Sequence, residues 1–143
     1  MNNLYITISD KIKRAMADHA MLSRPEECCG VLSGVNGDIT DMYPLRNEAA
    51  EPETRYLASP QDLFTAMRRI RRSGQEMMGI YHSHPRSAPY PSPTDVAMAF
   101  YPEAFYFIIS LEPRLDIRAF RIEDGRIQEA QVAVSGEEVL ATN

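Results

Sequence analysis

The chain has 143 residues, 44% of them apolar and 24% charged, with a formal net charge of -5. That length fits one domain of ordinary size, and the composition excludes a mainly disordered chain. A balance of 15 basic against 20 acidic residues gives no electrostatic footing for nucleic acid, and no window nears the ~18 apolar residues that mark a membrane span.

The opening run MNNLYITISD lacks the basic stretch and apolar core of a signal peptide. Residues 4 to 8 alternate Leu4, Ile6 and Ile8 with Tyr5 and Thr7, the pattern of a half-buried strand. Ser9 is placed to cap a helix whose face carries Ile12, Ala15, Met16 and His19. That helix is expected to stop before Pro25. Residues 27 to 34, ECCGVLSG, read as a short buried strand, and Asn36-Gly37 is a hairpin turn signal leading to a partner over 38 to 45. The two cysteines, Cys28 and Cys29, are adjacent. Neighbours bridge only with strain, so a reducing, cytoplasmic setting is expected.

Residues 47 to 54 read as irregular, with a short strand expected over 55 to 58. A second helix starts at Ser59-Pro60-Gln61-Asp62, with a capping serine and a proline at the first helical position. Its expected apolar face is Leu63, Phe64, Met67 and Ile70, with Arg68, Arg69, Arg71 and Arg72 mostly on the other side. After Ser73-Gly74 the run EMMGIYHSH, 76 to 84, reads as a strand, and a proline-rich loop follows. A third helix is expected from Ser92-Pro93-Thr94-Asp95 to about Tyr101. Strands are expected over 105 to 111 and 115 to 123, the second slipping its alternation at Ala119-Phe120 as a bulge does. Asp124-Gly125 turns into a last strand with Ala130, Val132 and Val134 alternating. The sum is one α/β or α+β domain over 1–134, a sheet of six to eight strands with three helices, and a frayed tail over 135–143.

The chemistry gathers at His82-Ser83-His84. Residues two apart on a strand share a face, so two imidazoles stand side by side where Pro85 ends the strand. Asp95 follows eleven residues after His84, in the first turn of the third helix. Two histidines and one carboxylate leave the fourth position of a tetrahedral zinc open to water, the pattern of a catalytic site. Neither part is decisive alone. Ser-Pro-x-Asp is also a helix-capping box, and residues 59 to 62 have the same form with no histidine nearby.

Together, His82-Ser83-His84-Pro85 and Ser92-Pro93-Thr94-Asp95 resemble the JAMM motif of MPN-type (JAB-domain) zinc metalloproteases, with ten residues between His84 and Asp95 as in that pattern. Glu27-Cys28-Cys29-Gly30 matches the family's upstream ExCG strand, and the likeness runs from about residue 4 to 123. The resemblance implies an MPN/JAB-type α/β fold, a central and mostly antiparallel sheet flanked by about three helices in a cytidine-deaminase-like sandwich. It implies one zinc per chain, Zn2+ held by His82, His84 and Asp95, with Glu27 as general base and Ser92 as donor to the oxyanion. It also implies cleavage of a peptide or isopeptide bond after the Gly-Gly tail of a ubiquitin-like protein. The chain resembles the small stand-alone bacterial forms, which points to a ubiquitin-like sulfur carrier as substrate. The loop Arg86 to Pro91 is then the expected wall of a narrow groove.

Other readings compete. Cys28 or Cys29 paired with a histidine would make a cysteine protease, although cysteine is commonly a small buried hydrophobe. Glu27, read alone, is an exposed acid at a helix–strand junction. His19 reads as a helix-face residue, and the Arg68 to Arg72 cluster as a solvated face or a dock for an acidic partner. The zinc-deaminase signature H-x-E and P-C-x-x-C is absent. From other classes come a module that binds a ubiquitin-like protein without cutting it, and a general peptide or amide hydrolase.

Overall fold

Alternating apolar residues and well-marked turns give ten elements in the computed structural model, which describes residues 4–136. In chain order they are β1 (Tyr5–Ser9), α1 (Asp10–Ser23), β2 (Cys29–Val35), β3 (Asp38–Leu45), α2 (Pro60–Ser73), β4 (Glu76–His84), α3 (Pro93–Ala97), β5 (Phe105–Ser110), β6 (Asp116–Glu123) and β7 (Arg126–Ser135). Asn36 and Gly37 both take positive φ, 54° and 81°, as the tight β2–β3 turn requires. The β6–β7 turn repeats this at Asp124 and Gly125. β7 runs through Ser135, so the last strand includes the first residue of the expected tail. Gly136 follows as a bend, and the rest of that expectation, 137–143, lies outside the described residues.

The sheet closes into a barrel, where the family resemblance implies a sandwich; four of its seven strand pairings are antiparallel and three parallel. Strand order is β1-β3-β2-β4-β5-β6-β7, and β1 pairs in parallel with both β3 and β7 to complete a barrel. β4 and β5 are also parallel, because the chain crosses over through α3 between them. Two cores result. One takes residues from all seven strands, among them Ile8, Leu32, Ile39, Tyr81, Phe107 and Ala119, and is filled by Ile12, Met16 and Ala20 of α1. The other lies on the opposite face of β2 to β6 and is covered by Ala66 and Ile70 of α2.

These two cores explain the expected bulge that does not occur. β6 pairs in unbroken register with β5 and with β7 through Ala119 and Phe120. Both residues are buried because they face different cores. The register shifts fall instead in β2, at Ser33/Gly34 against β3 and at Leu32/Ser33 against β4. Three further expectations change. Phe64 is 63% exposed, because the buried stripe of α2 is Leu63, Ala66, Met67 and Ile70, spaced 0, 3, 4 and 7. α3 stops at Ala97 rather than near Tyr101, having no buried residue to hold a longer helix. The strand over 55 to 58 is reduced to a single bridge between Asn47 and Ala58. Among the described residues, no helix is long and apolar enough to cross a membrane.

Candidate active site

β4 runs through the middle of the barrel, paired with β2 on one side and β5 on the other, and its C-terminal end carries His82-Ser83-His84. Alternation sends both imidazoles one way and Ser83 the other. Ser83 clamps the next strand: its N–H donates to the Cys28 carbonyl at 3.1 Å, and its Oγ accepts the Cys28 N–H at 2.8 Å. This fixes the start of β2, and with it Glu27, beside the histidines. The loop after His84 is tied down by the Ser110 hydroxyl, which donates to the Ser87 carbonyl at 2.7 Å. Arg86 pairs across the surface with Glu53 at 3.2 Å.

α3 brings in Asp95. Ser92 Oγ accepts the Asp95 N–H at 3.0 Å, and the Ser92 N–H donates to Asp95 Oδ2 at 2.9 Å, a complete capping box. The same Oδ2 lies 3.1 Å from His82 Nε2 and 3.0 Å from His84 Nε2, and the two nitrogens are 3.1 Å apart. Three potential ligand atoms thus share one focus. His82 and His84 are buried, at 1% and 4% exposure.

The donor set is of the kind zinc takes, two imidazole nitrogens and a carboxylate oxygen. His84 Nδ1 donates to the Ala88 carbonyl at 2.7 Å, so in the neutral ring the lone pair sits on Nε2 and faces a carboxylate oxygen. Electron-rich atoms held this close call for a cation or a proton between them, and the residues fit a bound metal. Their protonation follows from the same contacts. Burial pushes the His82 pKa down. At His84 burial works the same way, but bonds to Asp95 and to the Ala88 carbonyl outweigh it and raise the pKa. At Asp95 burial favours the neutral acid, yet bonds from both histidines hold the carboxyl well below the usual carboxylate range.

Glu27 is 5% exposed, so the reading of it as a surface acid fails. Its Oε1 is buried and has no hydrogen-bond partner among the described residues. Burial raises its pKa from the ordinary 4.5 to about 7; Asp95 adds to the shift and His84 opposes it. Its backbone is held by a 2.7 Å bond from its N–H to the Pro52 carbonyl and a 3.0 Å bond from Asn47 Nδ2 to its own carbonyl.

Asn47 is a residue that sequence reasoning passed over. Its amide also donates to the Pro52 and Arg55 carbonyls and accepts the N–H groups of Ala49 and Leu57. It organises the segment read as irregular and the residues after it, read as a short strand, and the latter deliver Tyr56 onto the face of His82. Only a lone asparagine at a strand end marked it in the sequence.

The competing candidates do not join the cluster. His19 pairs through Nδ1 with the Tyr81 hydroxyl at 2.7 Å. Burial pushes the thiols of Cys28 and Cys29 up to about 11 and about 12, which leaves neither a nucleophile near neutral pH. Arg68, Arg69, Arg71 and Arg72 are all exposed on α2.

Comparison with known proteins places the chain in a family. The family described as prokaryotic homologs of the JAB domain matches residues 9–123. A desampylase of Haloferax volcanii is 37% identical over 112 residues, covering 77% of this chain and 79% of its own. A CysO-cysteine peptidase of Mycobacterium tuberculosis is 35% identical over 133 residues, 90% of each chain. The solution structure of a Desulfitobacterium hafniense protein superposes with a TM-score of 0.81 at 33% identity, covering 91% of this chain and 92% of that one. The chain belongs to the family of prokaryotic JAB-domain homologs and, with its named relatives, is a protease.

Proposed function

We propose that this chain, as one catalytic domain in the cytoplasm, hydrolyses a peptide or isopeptide bond after the Gly-Gly tail of a ubiquitin-like protein, a sulfur carrier in particular. One zinc ion is held by His82, His84 and Asp95. The observation that carries this reading is the three-atom focus of His82, His84 and Asp95 at 3.0 to 3.1 Å, set in a chain whose relatives are named as a desampylase and a CysO-cysteine peptidase.

A zinc ion held by His82, His84 and Asp95 would supply Lewis acidity for the scissile carbonyl and for a water near neutral pH. Glu27 supplies the proton traffic. Its unpartnered oxygen is free to take a proton from the attacking water, and a pKa raised toward 7 suits a group that must then give it to the leaving amine. Water adds to the carbonyl carbon, the C–N bond breaks, and the proton taken from water leaves on nitrogen. Ser92 Oγ already accepts the Asp95 N–H, which leaves its hydroxyl hydrogen free to meet the oxyanion of the tetrahedral intermediate. The tethered loop Arg86 to Pro91 walls the groove.

Glu27→Gln tests this. Glutamine keeps the size but cannot accept the proton, so turnover of a Gly-Gly-tailed ubiquitin-like substrate should fall by ~10² or more. Zinc content, melting temperature and substrate binding should survive. Unchanged cleavage removes Glu27 as the base. Loss of zinc makes it a ligand or a support of the site. Binding without any turnover in the wild-type chain would leave a docking module in place of the enzyme, and equal turnover of a short unrelated peptide would favour a general amide hydrolase.

A further inference from the structure

His82 and His84 aim at the same focus but are held there by different means. A ligating histidine is usually oriented through its second ring nitrogen. His84 follows that rule, with Nδ1 bonded to the Ala88 carbonyl at 2.7 Å. His82 does not: its Nδ1 is buried and has no hydrogen-bond partner among the described residues. No polar contact at that atom resists a turn of the ring that would carry Nε2 off its target.

What lies against the His82 ring is Tyr56. The two rings stack with centroids 4.5 Å apart and planes 25° from parallel. Tyr56 is itself fixed from behind. Asn47 donates to the carbonyl of Arg55 at 3.1 Å and accepts the N–H of Leu57 at 3.0 Å, so it brackets Tyr56 on both sides. The Glu48 N–H adds a 2.7 Å bond to the Leu57 carbonyl.

We propose that Tyr56 is the positioning residue of His82. Its ring face, carried on a backbone that Asn47 clamps at Arg55 and Leu57, sets the plane of the imidazole and so the aim of Nε2, the task that the Ala88 carbonyl performs for His84. The inference rests on the reading of His82, His84 and Asp95 as zinc ligands. It makes the stretch from Asn47 to Leu57 a working part of the metal site, since Asn47 holds both the Glu27 backbone and the residues on either side of Tyr56. The task needs a flat ring and makes no use of the hydroxyl.

The test is zinc affinity, measured by chelator competition on the full chain, with the melting temperature of each metal-free protein as the control for folding. Tyr56→Phe keeps the ring and should bind zinc within about twofold of wild type, whereas Tyr56→Leu should lose roughly 10- to 100-fold, the scale for partners that orient a ligand. Tyr56→Met, flexible and of similar length, should lose affinity as leucine does and serves if the leucine variant fails to fold. Leu63→Ala supplies the structural control. Leu63 lines the same apolar groove and packs in the same core as Tyr56, so this variant should melt earlier with zinc affinity unchanged. Equal affinity in wild type and in the folded leucine or methionine variant overturns the proposal. So does a phenylalanine variant that falls as far as they do. A wild-type chain that binds no zinc overturns the ligand reading, and this one with it.

Discussion

Two helices of this chain begin with the same phrase, Ser-Pro-x-Asp, and they end up doing different things. The caps match: Ser59 Oγ accepts the Asp62 N–H at 3.2 Å, and Ser92 Oγ accepts the Asp95 N–H at 3.0 Å. The carboxylates then part. Asp62 turns to Arg46, taking its backbone N–H at 2.9 Å and its guanidinium at 3.0 and 3.2 Å. Asp95 turns to the two histidines. α2 is 14 residues long and buries Ala66 and Ile70, so its cap starts a piece of the core. α3 has five residues and buries none, so it is little more than a mount for Asp95. Local sequence sets the cap. What the sheet places in front of it sets the use of the acid.

The sharpest way to break the comparison is to remove the two acids in turn. Asp95→Ala should lose most of its bound zinc and drop to background turnover, because it deletes one of three ligands from the focus. Asp62→Ala should keep its zinc and its activity, with a small fall in melting temperature, since the Arg46 pair is exposed to solvent. Metal analysis and cleavage on the same preparations decide it. Full zinc in Asp95→Ala ends the ligand assignment.

The serines give the next largest contrast. If Ser92 donates to the oxyanion, Ser92→Ala should lower turnover by roughly 10²- to 10³-fold with zinc retained. Ser59→Ala should cost ~1 kcal/mol of stability through its lost cap and leave turnover nearly intact. Denaturant melts and cleavage rates of the two variants would separate the roles. Matching behaviour would reduce Ser92 to a cap.

The ligand cluster was legible because its parts are short-range signals: two histidines on one strand face and a capped aspartate one loop away. Glu27 needed the family pattern, since nothing local says that an acid after Pro25 will be buried. Tyr56, Asn47 and Ser83 were illegible for a different reason. Asn47 acts through backbone carbonyls and N–H groups from Glu27 to Leu57, and those leave no side-chain pattern to read. Tyr56 meets His82 across 26 positions only after the segment has folded on Asn47. Closure of the barrel is likewise non-local, resting on β1 meeting β7 from the far end of the chain. Phe64 was misplaced because two apolar neighbours, Leu63 and Phe64, each fit the helical spacing, and only the packed face chooses between them.

A third carboxylate extends the contrast. Asp62 has Arg46 and Asp95 has two histidines; Glu27 Oε1 has no hydrogen-bond partner among the described residues. The pKa directions follow. The bonds from Arg46 lower Asp62, the histidines hold Asp95 low against its burial, and burial lifts Glu27 from 4.5 to about 7. A folded value above the unfolded one means that the native state holds this proton more tightly than the unfolded chain does. The contribution to stability is therefore whole below 4.5, shrinks as pH rises, and is gone above about 7. His82, His84 and Asp95 titrate as well, so the measurement is a difference: the stability of the metal-free wild type minus that of metal-free Glu27→Gln, by denaturant melts at a series of pH values. That difference should fall by about 2 to 3 kcal/mol as pH rises through the window, the scale of a shift from 4.5 to about 7. A difference that stays flat, or that grows with pH, would mean that Glu27 finds a partner in the folded chain and is not the free base that the mechanism requires.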